Sequence, residues 1–169
     1  MCSLSAERED LVSDMIMIRK AGRADIEALR LLYEELGKAA VRYQPEHFIN
    51  GYREESFFEG IFSSDNQDIL VAEENSRVIG FSHVMIIPQK RAACLKPETV
   101  AYIQDLDVLE GMRSKGVGTL LINASKEYGK THGADFIRTQ VFPENKDGLR
   151  FYERNGFCEM MKTIECQFD

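Results

Sequence analysis

The segment GMRSKGVGTLL, Gly111 to Leu121, sets two cations, Arg113 and Lys115, among three glycines directly ahead of an apolar run with helical spacing. Glycine leaves backbone N–H groups uncrowded, and a helix N-terminus adds the positive end of its dipole, so this combination suits an anion, above all a phosphate. Two phosphate motifs fail when laid on it. Gly111 and Gly116 meet the first half of G-x-x-x-x-G-K-[ST], but Val117 and Gly118 stand where that motif needs Lys and Ser or Thr, so it supplies no ammonium. Gly116 and Gly118 begin a dinucleotide fingerprint, but Leu121 holds its third glycine position. What remains is R-x-x-G-x-G, Arg113-Ser114-Lys115-Gly116-Val117-Gly118, with the Thr119 hydroxyl as a further donor.

Such a turn works only where a strand delivers it and a helix follows. The hydrophobic period supplies both: VAYIQDLDVL reads as a buried strand, and Val117, Leu120, Leu121, Ala124 and Tyr128 mark one helix face that ends near Gly129 or Gly133. Upstream, MIMIRKA (Met15 to Ala21) is β-like, and RADIEALRLLYEEL repeats Ile26, Leu29, Tyr33 and Leu36 at helical spacing, with Asp25 placed to cap it. The aromatics between Gln44 and Phe62 fit one or two helices, and DILVAEENSRVIGFSHVMII fits two strands around a turn at Asn75 and Ser76. Downstream, DFIRTQVF is expected as a strand, NKDGLRFYERNG as a short helix closed by Asn155 and Gly156, and FCEMMKTIECQF as a last strand or small hairpin. Strands so interleaved with helices predict a mixed α/β domain.

With 169 residues, 44% of them hydrophobic, the chain fits one domain over residues 15–169 behind a polar tail, residues 1–14. No apolar run approaches the roughly 20 residues of a membrane span, and the tail is acidic where a secretory signal would be basic and apolar, so a soluble cytoplasmic protein is expected, with no membrane partner. Cys2, Cys94, Cys158 and Cys166 form no metal-ligand spacing, and no metal is expected. A formal net charge of −7 argues against nucleic acid and favours cationic small molecules.

In this setting R-x-x-G-x-G, straight after a strand and straight before a helix, resembles the pyrophosphate-binding signature of the GNAT superfamily, the acyl-CoA-dependent N-acyltransferases. A second block, Asn145 with Tyr152 seven positions on in NKDGLRFYERNGF, is similar to the family's N-x-x-A-x-x-L-Y-E-x-x-G-F. With the early strand and helix, the resemblance covers nearly the whole chain from Met15. It implies a central, mostly antiparallel sheet with splayed central strands flanked by helices, and acetyl-CoA as cosubstrate. Backbone N–H groups from Ser114 to Gly118 would ring the diphosphate, with Arg113 and Lys115 offsetting its charge. The resemblance lays the pantetheine arm along Leu106, Asp107 and Val108, puts Asn145 on that arm unless it merely caps a helix, and makes Tyr152 the general acid at the leaving sulfur unless it is core. It also allows a homodimer.

The implied reaction is direct attack of a primary amine on the thioester in a ternary complex. An alkyl amine with a pKa of about 10.4 is only about one part in a thousand neutral near pH 7, so a base or a water relay is required. Many relatives use a Glu at the position matching Gln104, and Gln cannot take a proton. Asp105 and Asp107 remain, two apart on one strand and therefore on one face. Either is a candidate base, and either can instead bind a cationic acceptor or cap a backbone group; His83 and Tyr102 stand in reserve. The acceptor is a small molecule or a peptide amine. Tyr43, His47, Phe48 and Tyr52 either line its pocket or are core. A non-catalytic acyl-CoA sensor is the alternative that Gln104 permits.

Overall fold

The computed structural model describes residues 16–88 and 93–168; the expected tail, Met15 and residues 89–92 of the loop after Pro88 lie outside the described residues. The chain runs β1 (Ile16–Lys20), α1 (Ile26–Tyr43), α2 (Glu55–Phe62), β2 (Gln67–Glu74), β3 (Arg77–Pro88), β4 (Thr99–Val108), α3 (Val117–Thr131), β5 (Phe136–Arg138) and α4 (Lys146–Arg154). The five strands lie in sequence order in one mixed sheet. Neighbours from β1 to β4 are antiparallel, and β4 with β5 is parallel, the crossover being α3. No helix of the described residues is long and apolar enough to cross a membrane.

Alternation along the strands divides the core. Phe81 faces α1 and α2, where it packs with Leu29, Leu32, Tyr33 and Phe58. Val84, Ile103 and Leu70 face α3 and meet Ile122 and Tyr128. On that second face the buried hydroxyls of Ser82 and Ser125 lie 2.9 Å apart, and Ser125 donates to Leu121 O at 2.8 Å, so the pair joins sheet to helix without an unpaired polar group. Gly129 sets the depth of α3: a Cβ there would fall 2.7 Å from the Ala101 Cβ.

The hairpin between β2 and β3 turns on Asn75 and Ser76, as expected, both with positive φ (50° and 60°), the geometry a two-residue turn requires. Asp25 precedes α1 but does not cap it. Its carboxylate accepts two bonds of 2.8 Å from Arg19 and another from Gly22 N, and these partners, Arg19 first, hold its pKa below the ordinary carboxylate value.

Of the one or two helices expected between Gln44 and Phe62 there is one, α2, in the second half. Another expectation needs correction. The C-terminal stretch expected as a strand or hairpin carries no strand among residues 157–168, and Met160, Met161, Ile164 and Phe168 are exposed. β5 pairs over only three residues, too short an edge to template another strand.

The pairing of β3 with β4 contains the irregularity that matters most. His83 is paired with Asp105 but Val84 with Ile103, so Gln104 is an extra, bulged residue. Before the bulge, Ala101 and Ile103 face α3; after it, Asp105 and Asp107 face α1 opposite His83 and Phe81.

Candidate functional site

β4 delivers the glycine-rich turn, and near its end it is paired on one side only. β5 accompanies it through Val100↔Phe136, Ala101↔Ile137 and Tyr102↔Arg138 and then departs. The last tie is Thr139 Oγ1, which donates to Ile103 O at 3.0 Å. From Gln104 to Val108 the edge facing away from β3 has no strand partner among the described residues, while β3 stays paired as far as Gly80↔Val108. An extended ligand with amide groups can bond to such an edge as another strand would.

The open edge leads to the turn. After a 3-10 turn at Glu110–Met112, Ser114 (φ 60°) and Gly116 (φ 85°) both take left-handed backbone, and Val117 starts α3. Leu120 N is bonded to Gly116 O at 3.1 Å, so the N–H groups of Val117, Gly118 and Thr119 precede the helix's first bond, and no side chain caps them. The Phe151 ring of α4 lies 3.0 Å from where a Cβ on Gly118 would be, so this glycine also admits a neighbouring helix.

The two cations divide. Arg113 turns toward the strand: its Nε donates to Val108 O at 2.8 Å and Nη2 to Asp107 Oδ1 at 3.1 Å, with Glu35 at 3.9 Å. Lys115 stays exposed beside the Met112 sulfur, with its charge free of any carboxylate partner among the described residues. Burial pushes the Asp107 carboxyl up to about 6 despite the opposing pull of Arg113, and its Oδ2 has no hydrogen-bond partner.

Asp105 occupies different surroundings. It is partly exposed, and His83 Nδ1 lies 3.7 Å from its Oδ2. On the other side of that buried imidazole, Nε2 is 2.9 Å from Gln67 Oε1. Three phenols feel the Asp105 charge. Burial, then Asp105, raises the pKa of Tyr33 and of Tyr102. Tyr152 is raised by burial first, against a lowering contact from Thr139, with Asp105 and Tyr102 adding to the rise. Tyr152 therefore keeps its proton at neutral pH, the state a donor needs. α4 holds it between Phe151 and Phe157, with ring centroids 5.2 and 5.3 Å away, on the side of the sheet where β4 and β5 separate.

Asn145 is the N-cap of α4, its Oδ1 accepting from Gly148 N at 2.9 Å, so its cap role is realised. Tyr43, His47, Phe48 and Tyr52 are not buried core. Tyr43 and Phe48 meet Phe142, His47 lies 3.0 Å from Glu165, and Tyr52 sits under Arg30, all at the half-buried or exposed surface. Sequence reasoning missed Tyr33 and Gln67 as neighbours of the site. Tyr33 was legible only as a helix-face apolar position, although a phenol on a core face needs a partner for its hydroxyl, and this one has none.

Acetyltransferases of the GNAT family have a family model that matches residues 29–157. The chain belongs to the GNAT family. It is an acyl-CoA-dependent N-acetyltransferase, and the open edge of β4 and the turn before α3 fit acyl-CoA as cosubstrate. An uncharacterised N-acetyltransferase of Bacillus subtilis, YhfO, is 29% identical over 142 residues, 84% of this chain and 89% of the relative. N-alpha-acetyltransferase 30 of Schizosaccharomyces pombe is 29% identical over 131 residues, 76% of this chain and 74% of the relative. A crystal structure of a mutant Bacillus halodurans protein superposes with a TM-score of 0.85 at 25% identity, covering 90% of this chain and 99% of that one. An aminoglycoside N-acetyltransferase in complex with CoA shares the GNAT fold, with a TM-score of 0.68 at 22% identity over 90% of this chain and 99% of its own.

Proposed function

We propose that the protein transfers an acetyl group from acetyl-CoA to a cationic primary amine by direct attack in a ternary complex, with Asp105 as base and Tyr152 as acid. The observation that carries this reading is the one-sided pairing of β4 from Gln104 to Val108, which runs into the uncapped N-terminus of α3. The amides of Ser114 to Thr119 and the free charge of Lys115 hold the diphosphate, and the main chain of Leu106, Asp107 and Val108 holds the arm. Arg113 and Asp107 brace the turn from behind. Asn145 starts α4 and so sets where Tyr152 stands.

Each group does one job. Asp105 is the partly exposed carboxylate beside the open edge, so it attracts an ammonium and removes a proton from it. Tyr152, held protonated by burial, gives its proton to the departing sulfur. Coenzyme A supplies a thiol of pKa about 8.5, so that proton assists departure without being indispensable. For the acceptor, an aminoglycoside acetyltransferase solved with sisomicin shares the fold at 15% identity and a TM-score of 0.71, which makes amino sugars one class to assay beside polyamines and peptide amines.

Calorimetry with coenzyme A tests the cradle, and thiol release from acetyl-CoA across an amine panel tests the transfer. Tight binding, turnover on at least one amine and loss of turnover in Asp105→Asn are the expected results. No affinity for coenzyme A would sink the reading; binding without turnover on any amine would leave an acyl-CoA sensor.

A further inference from the structure

We propose that His83 is a second proton-holding residue of the transfer, acting through Asp105, so that one carboxylate can remove two protons in a single turnover. This rests on Asp105 being the base. Stoichiometry creates the need. An ammonium loses two protons on becoming an amide, while the bond from nitrogen to the acetyl carbon forms and the carbon–sulfur bond breaks. The departing thiolate takes one of those protons, by way of Tyr152. The other must leave the protein, and Asp105 cannot hold both.

His83 is placed to take one. It stands opposite Asp105 in the β3–β4 pairing because of the bulge at Gln104, and it is only 4% exposed. Its Nδ1 has no hydrogen-bond partner although the Asp105 carboxylate is 3.7 Å away. With Gln67 Oε1 accepting from Nε2–H, the neutral ring turns a lone pair toward the carboxylate. Two acceptors facing each other in a buried site lack one proton, and a proton arriving on Asp105 satisfies both. Catalytic hydrogen bonds are often long in a free enzyme and tighten in the complex.

The sequence of transfers balances. Asp105 takes the first proton from the ammonium and passes it to Nδ1, giving an imidazolium beside a restored carboxylate. Asp105 then takes the second proton as the amide forms and returns it to the Tyr152 phenolate, which has just protonated the sulfur. The imidazolium releases its proton to solvent after the products leave. The charged or titratable groups facing this pair are Asp105 itself, Tyr102 and, two residues on along the same face, Asp107 with its Arg113 partner from β4 and its turn, Tyr33 from α1 with Arg53 beyond it, and Tyr152 from α4; among the described residues of β2 the contact is the Gln67 amide.

The test uses the full chain with labelled histidine. The protein has three histidines, and His47→Gln and His132→Gln, both at exposed positions, assign the remaining signal by difference. Nitrogen-15 NMR should show neutral His83 as the Nε2–H tautomer, with Nδ1 carrying no proton. In thiol-release assays with acetyl-CoA and spermidine, kanamycin or a lysine peptide, His83→Gln should lower kcat about ten- to a hundredfold. It should also leave the KM for acetyl-CoA within about twofold. A neutral Nδ1–H tautomer overturns the proposal even if His83→Gln does not fold. Wild-type kcat in a folded His83→Gln beside an inactive Asp105→Asn removes His83 alone; an active Asp105→Asn removes the assignment of the base as well.

Discussion

Arg113 and Asp107 are bound to each other, Nη2 to Oδ1 at 3.1 Å, while Arg113 Nε also closes on Val108 O. The arginine of the R-x-x-G-x-G turn therefore ties the turn to the strand that delivers it, and in the proposed function Lys115 with the backbone amides is left to meet the anion. Arg113→Met should weaken coenzyme A binding by roughly tenfold and lower stability by about 1–2 kcal/mol. That is less than a fully buried pair would cost, because the guanidinium is half exposed. Calorimetry and denaturant melts measure the two effects; unchanged binding would mean that the brace is dispensable.

Asp107 makes stability depend on pH in an unusual direction. Its folded carboxyl, pushed up to about 6 by burial, lies above the value near 3.8 of an exposed one. Between those values the folded protein holds a proton that the unfolded chain does not, so this contribution is present at low pH and is lost as pH rises through about 6. Relative to Asp107→Asn, the wild type should gain on the order of 2 kcal/mol between pH 7.5 and 4.5. Parallel stability curves for the two proteins would contradict the burial of this group.

Gly116 carries the left-handed residue that opens α3. A Cβ there meets nothing within 4 Å, so Gly116→Ala adds backbone strain alone, roughly 1–2 kcal/mol at φ 85°. A melting temperature lower by about 2–8 °C, together with several-fold weaker coenzyme A binding, is expected. Ser114, at φ 60°, predicts the opposite: Ser114→Gly should be neutral or slightly stabilising.

With Tyr152 as the proposed acid, Tyr152→Phe should lower kcat about ten- to a hundredfold without abolishing turnover, because a thiol of pKa about 8.5 is already a fair leaving group. Packing against Phe151 and Phe157 survives the change, so the melting temperature should stay within a few degrees. Steady-state assays of thiol release check this, and an unaltered kcat would confine Tyr152 to packing.

Much of the fold was legible because its signals are local. Helical spacing marked α1 and α3, Asn155 and Gly156 marked the end of α4, the pair Asn75 and Ser76 marked the hairpin, and the glycines before Val117 marked a helix start that leaves amides unpaired. The resemblance carried by Arg113 to Gly118 and by Asn145 to Tyr152 identified the family, which the family model then matched. Local signals failed where pairing decides the outcome. The C-terminal stretch has an apolar, strand-like composition, but a strand needs an edge to join, and β5 offers three residues.

Sequence alone determined which residues could do chemistry: a glycine-rich turn with two cations, carboxylates two apart, and a phenol on a late helix. Tertiary structure decided which of those groups meet. Strand alternation by itself would put Ile103 and Asp105 on one face, and the bulged Gln104 turns Asp105 away from the α3 core toward Tyr33 and His83. A bulge is a relation between two strands, here the consecutive β3 and β4, so the residues of β4 taken by themselves do not encode it. The same holds for Arg113, whose charge goes to Asp107 because folding buries that carboxylate beside it, and a buried charge draws in the nearest opposite one.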